Sequence, residues 1–236
     1  MFFGYPRGNG TVGVRNRIGI VSLMDNSNGL ARKIVENVRG TVLVTDLFGR
    51  KMIGRNHDMR LKAIHGMAMN PNLAGVVLVS LHSTSTDAFA EPIAAAGKDV
   101  ECLAFQDYGS TWRCVEAGIV AAAKMARKFS SMQRTEQPLS KLIFGVECGG
   151  SDFSSGISGN PALGHAADLL LDAGGSVVLS ETAEIMGAEH LLAERAVNNE
   201  VASKIMQAIA DMEEMSRMGG VPDIRKTNPS ADNIKG

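Results

Sequence analysis

The chain has 236 residues, of which 44% are hydrophobic, and its formal net charge at pH 7 is -1. A charge this close to zero gives no reason to expect a nucleic acid or an anionic membrane as a partner, so a small-molecule ligand is favoured. The three cysteines are too few for a disulfide framework, and no apolar stretch reaches the ~18 residues of a membrane span. Because the start of the chain also lacks a signal-peptide pattern, we predict a cytoplasmic protein.

Six apolar runs, each followed by a helical pattern, occur along the chain. They lie at residues 18–23, 42–44, 75–81, 100–105, 142–146 and 177–179. This alternation predicts an α/β fold with a mostly parallel, Rossmann-like sheet of about six strands and helices on both faces. We predict one catalytic region over residues 1–225, with a polar linker at 131–140 that can act as a hinge, and an extended tail at 226–236.

Three glycines near the start, Gly8, Gly10 and Gly13, have the spacing of a dinucleotide-binding loop. That loop needs a strand before it and a helix after it, whereas here an apolar run follows the glycines. We therefore predict no nucleotide cofactor.

The densest polar chemistry follows the last two apolar runs. The first of them ends at Cys148-Gly149-Gly150-Ser151-Asp152, and the second is followed by Glu181, Glu184, Glu189 and His190. In open α/β sheets ligands bind outside the carboxyl ends of the strands, and glycines let backbone N–H groups approach an anion. We predict that the two segments lie side by side and form one site. The alternative is that the glycines are turn residues and the carboxylates are solvated.

A basic loop follows the second apolar run. It contains Arg50 and Lys51, which would present positive charge to an anionic substrate. A solvated basic loop is the alternative interpretation.

These segments resemble the altronate and galactarate dehydratase family, which also holds the large subunit of sulfolactate sulfo-lyase. The resemblance is carried by C-G-G-S-D-x-x-S-G-I-x-x-N-P-A-x-G, which starts at Cys148, and by S-E-T-x-E-I-x-G-A-E-H-L-L, which starts at Ser180. It continues in Gly4-Tyr5-Pro6-Arg7 and in residues 70–75 and 106–111. The resemblance therefore covers nearly all of the chain.

The resemblance implies a lyase that eliminates water from a sugar acid such as altronate or galactarate and leaves a 2-keto-3-deoxy acid. Such a reaction needs a general base for the α-proton and stabilisation of the aci-carboxylate that forms. The implied catalytic residues are His190, Glu181 and Glu184. The candidate substrate-binding residues are Gly149, Gly150, Ser151, Asp152 and Thr111, together with Arg50 and Lys51 of the basic loop. The implied cofactor is a divalent metal, iron or manganese, with Cys148 and Glu189 as ligands.

Two positions depart from the family pattern. The dehydratases carry Gly-Cys-Gly after the second strand and Gly-Cys-Glu after the third, where this chain has Gly49-Arg50-Lys51 and His82-Ser83-Thr84. Fewer thiolates and more cations disfavour thiolate-bound iron and favour a dianionic substrate, so elimination of sulfite from sulfolactate is the second hypothesis. A non-catalytic binding or scaffold subunit is the hypothesis from another class.

The resemblance also implies partners. Single-chain members of the family carry a small β-rich domain before the Gly-Tyr-x-Arg opening and a further segment after the Asn-Pro-Ser that matches residues 228–230. Either a separate small β-rich subunit supplies this domain or the segment was cut away, and in both cases we expect a chain that is weakly active or inactive alone. We also expect a homo-oligomer.

Overall fold

A computed structural model describes residues 1–46, 52–150 and 152–227 of the chain. The chain divides into two compact units, Met1–Pro138 and Leu139–Gly236, called here the first and the second unit. The boundary falls inside the segment 131–140 that the sequence predicts as a linker, and its action as a hinge stays a prediction. Each unit has its own parallel sheet.

Strands and helices alternate through most of the described residues. The strands are β1 (Phe2–Pro6), β2 (Val12–Gly13), β3 (Arg17–Ser22), β4 (Thr41–Val44), β5 (Leu73–Ser80), β6 (Asp99–Ala104), β7 (Thr135–Gln137), β8 (Ile143–Val146) and β9 (Ser176–Leu179). The α-helices are α1 (Asn28–Asn37), α2 (Arg55–Met69), α3 (Ser83–Ala95), α4 (Phe105–Tyr108), α5 (Thr111–Ser130), α6 (Asn160–Asp172), α7 (Glu189–Glu194), α8 (Asn199–Met218) and α9 (Ile224–Thr227).

The first unit is built on a parallel sheet of four strands in the order β4-β3-β5-β6. All eight residues of β5 are buried. A strand inside a parallel sheet that is covered on both faces has no side turned to solvent, which explains the continuous apolar run at this position of the sequence.

Helices cover both faces of this sheet. Side chains alternate between the faces of a strand. Ile20 and Val77 accordingly pack in a core cluster with residues of α1 and α5, whereas Val21 and Leu78 pack in a second cluster with residues of α2 and α3. The predicted layer arrangement of helix, sheet and helix is therefore present in the first unit.

A second sheet of the first unit was not predicted. It is antiparallel, with the order β2-β1-β7, and Phe2 pairs with Gln137. The interpretation of 131–140 as a linker alone is wrong for Thr135–Gln137, because a short polar strand that pairs with the other end of the unit leaves no periodic signal. Gly8 and Gly10 lie in the turn between β1 and β2, Gly13 ends β2, and β3 follows instead of a helix.

The second unit contains a parallel pair of strands, β8 and β9, connected through α6. Helix α8 begins after Asn198, whose side chain accepts a hydrogen bond of 2.9 Å from the Val201 N–H and so caps the helix. Among the described residues of this unit, Ile209 is the one buried hydrophobic side chain. The unit therefore has a much smaller core than the first one.

Two expectations from the sequence need correction. The six predicted strands are present, but a single six-stranded sheet is not confirmed, because four of them form one sheet and the remaining two form another. The strand pattern identifies each strand without specifying its neighbours. The predicted tail begins too early, since residues 226 and 227 belong to α9.

No helix of the described residues is both long and apolar enough to span a membrane.

Candidate active site

The carboxyl ends of β8 and β9 meet at one edge of the second unit's sheet. Ser180 donates through its N–H and its hydroxyl to the Val146 carbonyl, at 3.2 Å and 2.9 Å. Just beyond the two strands, the Cys148 N–H donates a hydrogen bond of 2.8 Å to Oε2 of Glu181. The prediction that the two polar segments lie side by side is therefore confirmed.

Glu181 has a left-handed backbone conformation, with φ of 61° and ψ of 78°. Among the described residues it is the only non-glycine residue with a positive φ. The conformation costs an L-residue about 1 to 2 kcal/mol, and such residues cluster at functional sites. It turns the chain sharply at the end of β9 and brings the carboxylate over the loop that follows β8.

A cavity of about 360 Å³ lies at this edge. Five of the site residues predicted from the sequence line it: Cys148, Gly149, Gly150, Glu181 and Glu184. Four further polar side chains line it, Glu147, Ser155, Asn160 and Ser180, and none of them is among the predicted site residues. The available signals were the position of Glu147 beside Cys148 and the Asn-Pro pair that commonly opens a helix.

Asp152 starts the helical segment that follows the glycine-rich loop. Its Oδ1 accepts hydrogen bonds from the N–H and the hydroxyl of Ser154, at 2.7 Å and 2.6 Å, and from the Ser155 N–H at 3.2 Å. These donors lower the pKa of Asp152. The chain continues as a π-helix, Ser155–Gly159, and then as α6. Asp152 thus caps the helical segment, and it is not among the described residues that line the cavity.

Glu189 is engaged away from the cavity. Its Oε1 lies 2.8 Å from Nη2 of Arg225, and its Oε2 accepts a hydrogen bond from the Gly187 N–H. The hydrogen bond from Arg225 lowers the pKa of Glu189. Arg225 also pairs with Glu213 and so connects α9 to both α7 and α8. This arrangement gives Glu189 a role in holding three helices together.

His190 is the second residue of α7, where it is exposed. It does not belong to the described lining of the cavity. Its predicted role in catalysis stays a prediction.

Arg50, Lys51 and Ser151 are outside the described residues. Thr111 is the exposed first residue of α5, in the first unit.

The residues proposed to hold a metal do not form a ligand set in the described parts of the chain. No group of three or more His, Cys, Asp or Glu side chains there could hold a metal ion. Glu189, one of the two proposed ligands, is already paired with Arg225.

Two family models match the chain and together cover most of it. One describes the second domain of D-galactarate dehydratase/altronate hydrolase and matches residues 4–130. The other describes the C-terminal part of D-galactarate/altronate dehydratase and matches residues 139–236. The gap between them coincides with the predicted linker and with the boundary of the two units.

Three curated relatives show similar levels of identity. The chain is 32% identical over 239 residues to (2R)-sulfolactate sulfo-lyase subunit beta of Chromohalobacter salexigens, covering 100% of this chain and 60% of that protein. It is 32% identical over 223 residues to altronate dehydratase of Bacillus subtilis, and the alignment covers 90% of this chain and 45% of that protein. It is 30% identical over 263 residues to galactarate dehydratase (L-threo-forming) of Escherichia coli, and the alignment covers 100% of this chain and 49% of that protein.

The chain therefore spans about half the length of the curated relatives it matches. Two of these relatives are named as dehydratases and one as a sulfo-lyase. The second-domain model alone matches more than half of the 236 residues. The chain belongs to the D-galactarate/altronate dehydratase family.

Proposed function

We propose that the chain removes the α-proton of a hydroxy acid and so eliminates the group β to the carboxylate. The observation that carries this proposal is Glu181, a carboxylate on a left-handed turn, oriented by the Cys148 N–H at the edge of a cavity. A general base has to be held in one position within hydrogen-bonding reach of the proton that it abstracts. The bond from Cys148 holds one carboxylate oxygen and so orients the group.

The substrate that fits this cavity carries a carboxylate. The cavity's 360 Å³ is within the ~300 to 1,000 Å³ typical of small-molecule sites. Gly149 and Gly150 line it with backbone, and Asn160 adds a side-chain amide to the lining. Backbone N–H groups of the glycine-rich loop and this amide stabilise the negative charge that develops on the substrate carboxylate when the α-proton leaves.

Glu184 is the residue that we assign to the departing group. It lies in the short helix Thr182–Ile185, directly after Glu181, and it lines the same cavity. In the proposed reaction Glu181 takes the α-proton, the electron pair of the C–H bond forms the double bond of an enol, and the bond to the β substituent breaks. Glu184 gives a proton to the departing hydroxyl, which leaves as water. The enol then tautomerises to the keto acid.

Two substrate classes suit this mechanism. Dehydration of an altronate- or galactarate-type acid is the leading candidate, because the family models and two of the relatives carry those names. Elimination of sulfite from sulfolactate is the second candidate, because the relative of that name aligns with 100% of this chain. In that case the C–S bond breaks, and sulfite leaves with the bonding electrons.

Partners and cofactor belong to the same proposal. The sulfo-lyase relative is named as a subunit, which supports a multi-subunit assembly. A small β-rich subunit as the partner of this chain is part of the proposal. Homo-oligomer formation, a divalent metal and substrate contacts from Arg50 and Lys51 are further parts of the proposal. Their tests are the mass of the complex, the metal content of protein purified without chelator, and the Michaelis constants of the Arg50→Gln and Lys51→Gln variants.

A substrate panel tests the function directly. The chain, alone and with its small subunit, is incubated with altronate, galactarate and sulfolactate, and keto-acid and sulfite formation are measured. Keto acid from a sugar acid supports dehydration, and equal amounts of sulfite and keto acid from sulfolactate support the second candidate. Substrate binding without any product would contradict the proposal and favour the non-catalytic binding subunit. The same assay on His190→Gln tests the prediction for that histidine.

A further inference from the structure

A second cavity, of about 110 Å³, lies in the first unit, far along the chain from Glu181. It is formed by the turn between β1 and β2, the turn before β5 and the start of β6. The residues that matter for its chemistry are Arg7, Gly8, Asn9, Pro71, Lys98 and Asp99. Its volume is roughly that of three to four water molecules in the liquid.

Two cations reach this cavity, and neutral carbonyl groups hold both. Nε of Arg7 donates to the Pro71 carbonyl at 2.8 Å. Nζ of Lys98 donates to the carbonyls of Ala68 and Asn70, each at 2.8 Å. Because Asn70 and Pro71 are consecutive residues, the two positive groups are fixed on either side of a single peptide unit.

No carboxylate in the lining compensates these two charges. Asp99 is the only carboxylate among the described residues that line the cavity, and it pairs with Lys128. A further cation lies close to Arg7, because the guanidinium groups of Arg7 and Arg134 stack on the same Tyr5 ring, at 5.8 Å and 5.3 Å from its centre. The local charge is therefore positive although the chain as a whole is nearly neutral.

The titration of Lys98 reflects this environment. Burial, followed by the positive charge of Arg7, lowers the pKa of Lys98 to about 8. Burial also lowers the pKa of Arg7. The two partly buried cations repel one another, and a bound anion would reduce this repulsion.

We propose that this cavity binds a small tetrahedral oxyanion such as sulfate or phosphate, held between Arg7 and Lys98. An ammonium group has three donors, of which Lys98 uses two on carbonyls, so one is left for the anion. The turn adds backbone donors: the Gly10 N–H bonds to the Arg7 carbonyl at 3.0 Å, which leaves the amides of Gly8 and Asn9 at the two central positions of the turn.

The test is the pKa of Lys98, measured by NMR of its side chain in the full chain. Titrations are recorded with sodium sulfate, sodium phosphate and sodium chloride at matched ionic strength. A bound dianion should raise the pKa of Lys98 by about 1 to 3, the effect of an opposite charge within a few ångströms. Chloride should leave it near 8. An unchanged pKa in 50 mM sulfate, or an equal rise in chloride, overturns the proposal.

A pair of variants provides the control. The control variant is Lys62→Met, which changes an exposed lysine on α2. Sulfate should raise the melting temperatures of the parent chain and of Lys62→Met by the same amount, and it should not raise the melting temperature of Lys98→Met. Equal stabilisation of Lys98→Met would contradict the assignment. If Lys98→Met does not fold, the pKa of Lys98 in the parent chain decides alone.

Discussion

Glu181 combines an unfavourable backbone conformation with a side chain that a neighbouring amide holds in place. Its φ of 61° lies in the region that glycine occupies without cost and other residues rarely adopt. The surrounding contacts, above all the hydrogen bond from Cys148 and the parallel pairing of β8 with β9, have to compensate for this cost. A glutamate at this position is therefore best explained by its carboxylate.

The strain at Glu181 can be measured by comparing two variants that both remove the carboxylate. At a position with right-handed backbone, a protein with glycine is less stable than the same protein with alanine by about 0.5 to 1 kcal/mol. At a left-handed position the order is reversed, so Glu181→Gly should be as stable as Glu181→Ala or more stable, by up to about 1 kcal/mol. Urea unfolding of both proteins gives the difference. A clearly less stable Glu181→Gly would show that this backbone is not left-handed.

Lys98 provides a prediction on pH. Its pKa is about 8 in the folded chain and 10.5 when unperturbed, so between these values the unfolded chain binds more protons. The contribution of Lys98 to stability therefore rises with pH from about 8 to 10.5 and is constant outside this window. In the absence of oxyanions, the stability of the parent chain should increase relative to Lys98→Met across that window. A constant difference would show that the pKa of Lys98 is not lowered.

The sequence predicts part of the candidate site for a physical reason. Polar residues at strand ends identify Cys148, Glu181 and Glu184, because strand ends of a parallel pair meet at one edge. The sequence does not predict the left-handed turn, since φ at a non-glycine residue is set by the surrounding packing. Nor does it predict that Glu189 pairs with Arg225, which lies in a segment without an apolar pattern.

Among the elements, α5 is the longest helix of the first unit, and it packs closely on α1. A Cβ atom at Gly118 would lie 2.3 Å from Cδ1 of Ile34 and 2.9 Å from Cδ1 of Leu103. Glycine at this position therefore lets the two helices and β6 approach one another. By contrast, a Cβ at Gly66 of α2 would meet nothing within 4 Å.

These two glycines form a matched pair of substitutions. Gly118→Ala should destabilise the chain by about 1 to 3 kcal/mol, because the added methyl group overpacks a core. Gly66→Ala should stabilise it by up to about 1 kcal/mol, because alanine is the better helix former and has room. Chemical unfolding of both variants measures the change. Similar stabilities for the two would contradict the packing of α1 against α5.

Elements with a local signal are predicted well from the sequence. The helical pattern predicted after the run 100–105 corresponds to α4 and α5, and the apolar run 75–81 corresponds to β5. Elements that depend on distant pairing are not predicted: β7 has the sequence Thr-Glu-Gln and is a strand only because it pairs with β1. The same reason explains why six strand signals could not specify two separate sheets.

At the scale of the whole molecule, the described core is very unevenly distributed. Every buried hydrophobic residue of the described chain except Ile209 belongs to the first unit. Apolar side chains of the second sheet are exposed instead: Ile143 is 66% exposed and Val178 52%. A two-stranded pair with little burial is marginal by itself.

Hydrogen exchange should therefore differ between the two sheets. Amides of β5 should exchange only when the first unit unfolds globally, whereas amides of β8 and β9 should exchange faster through local opening. The expected difference is at least about 100-fold, which corresponds to about 2.7 kcal/mol. Addition of the small subunit should slow exchange in β8 and β9 if it contacts that sheet. Equal protection of β5 and β8 in the chain alone would contradict this account.

The rate of the Glu181→Gln variant tests whether Glu181 removes the α-proton of the substrate. Glutamine keeps the size of the side chain and can accept the hydrogen bond from Cys148, but it cannot take up the proton. Glu194→Gln, which changes an exposed carboxylate of α7, is the matched control. With the substrate identified in the panel, keto-acid formation should fall about 100-fold or more in Glu181→Gln and stay at the parental rate in Glu194→Gln. Parental turnover by a Glu181→Gln protein that melts like the parent would contradict the claim.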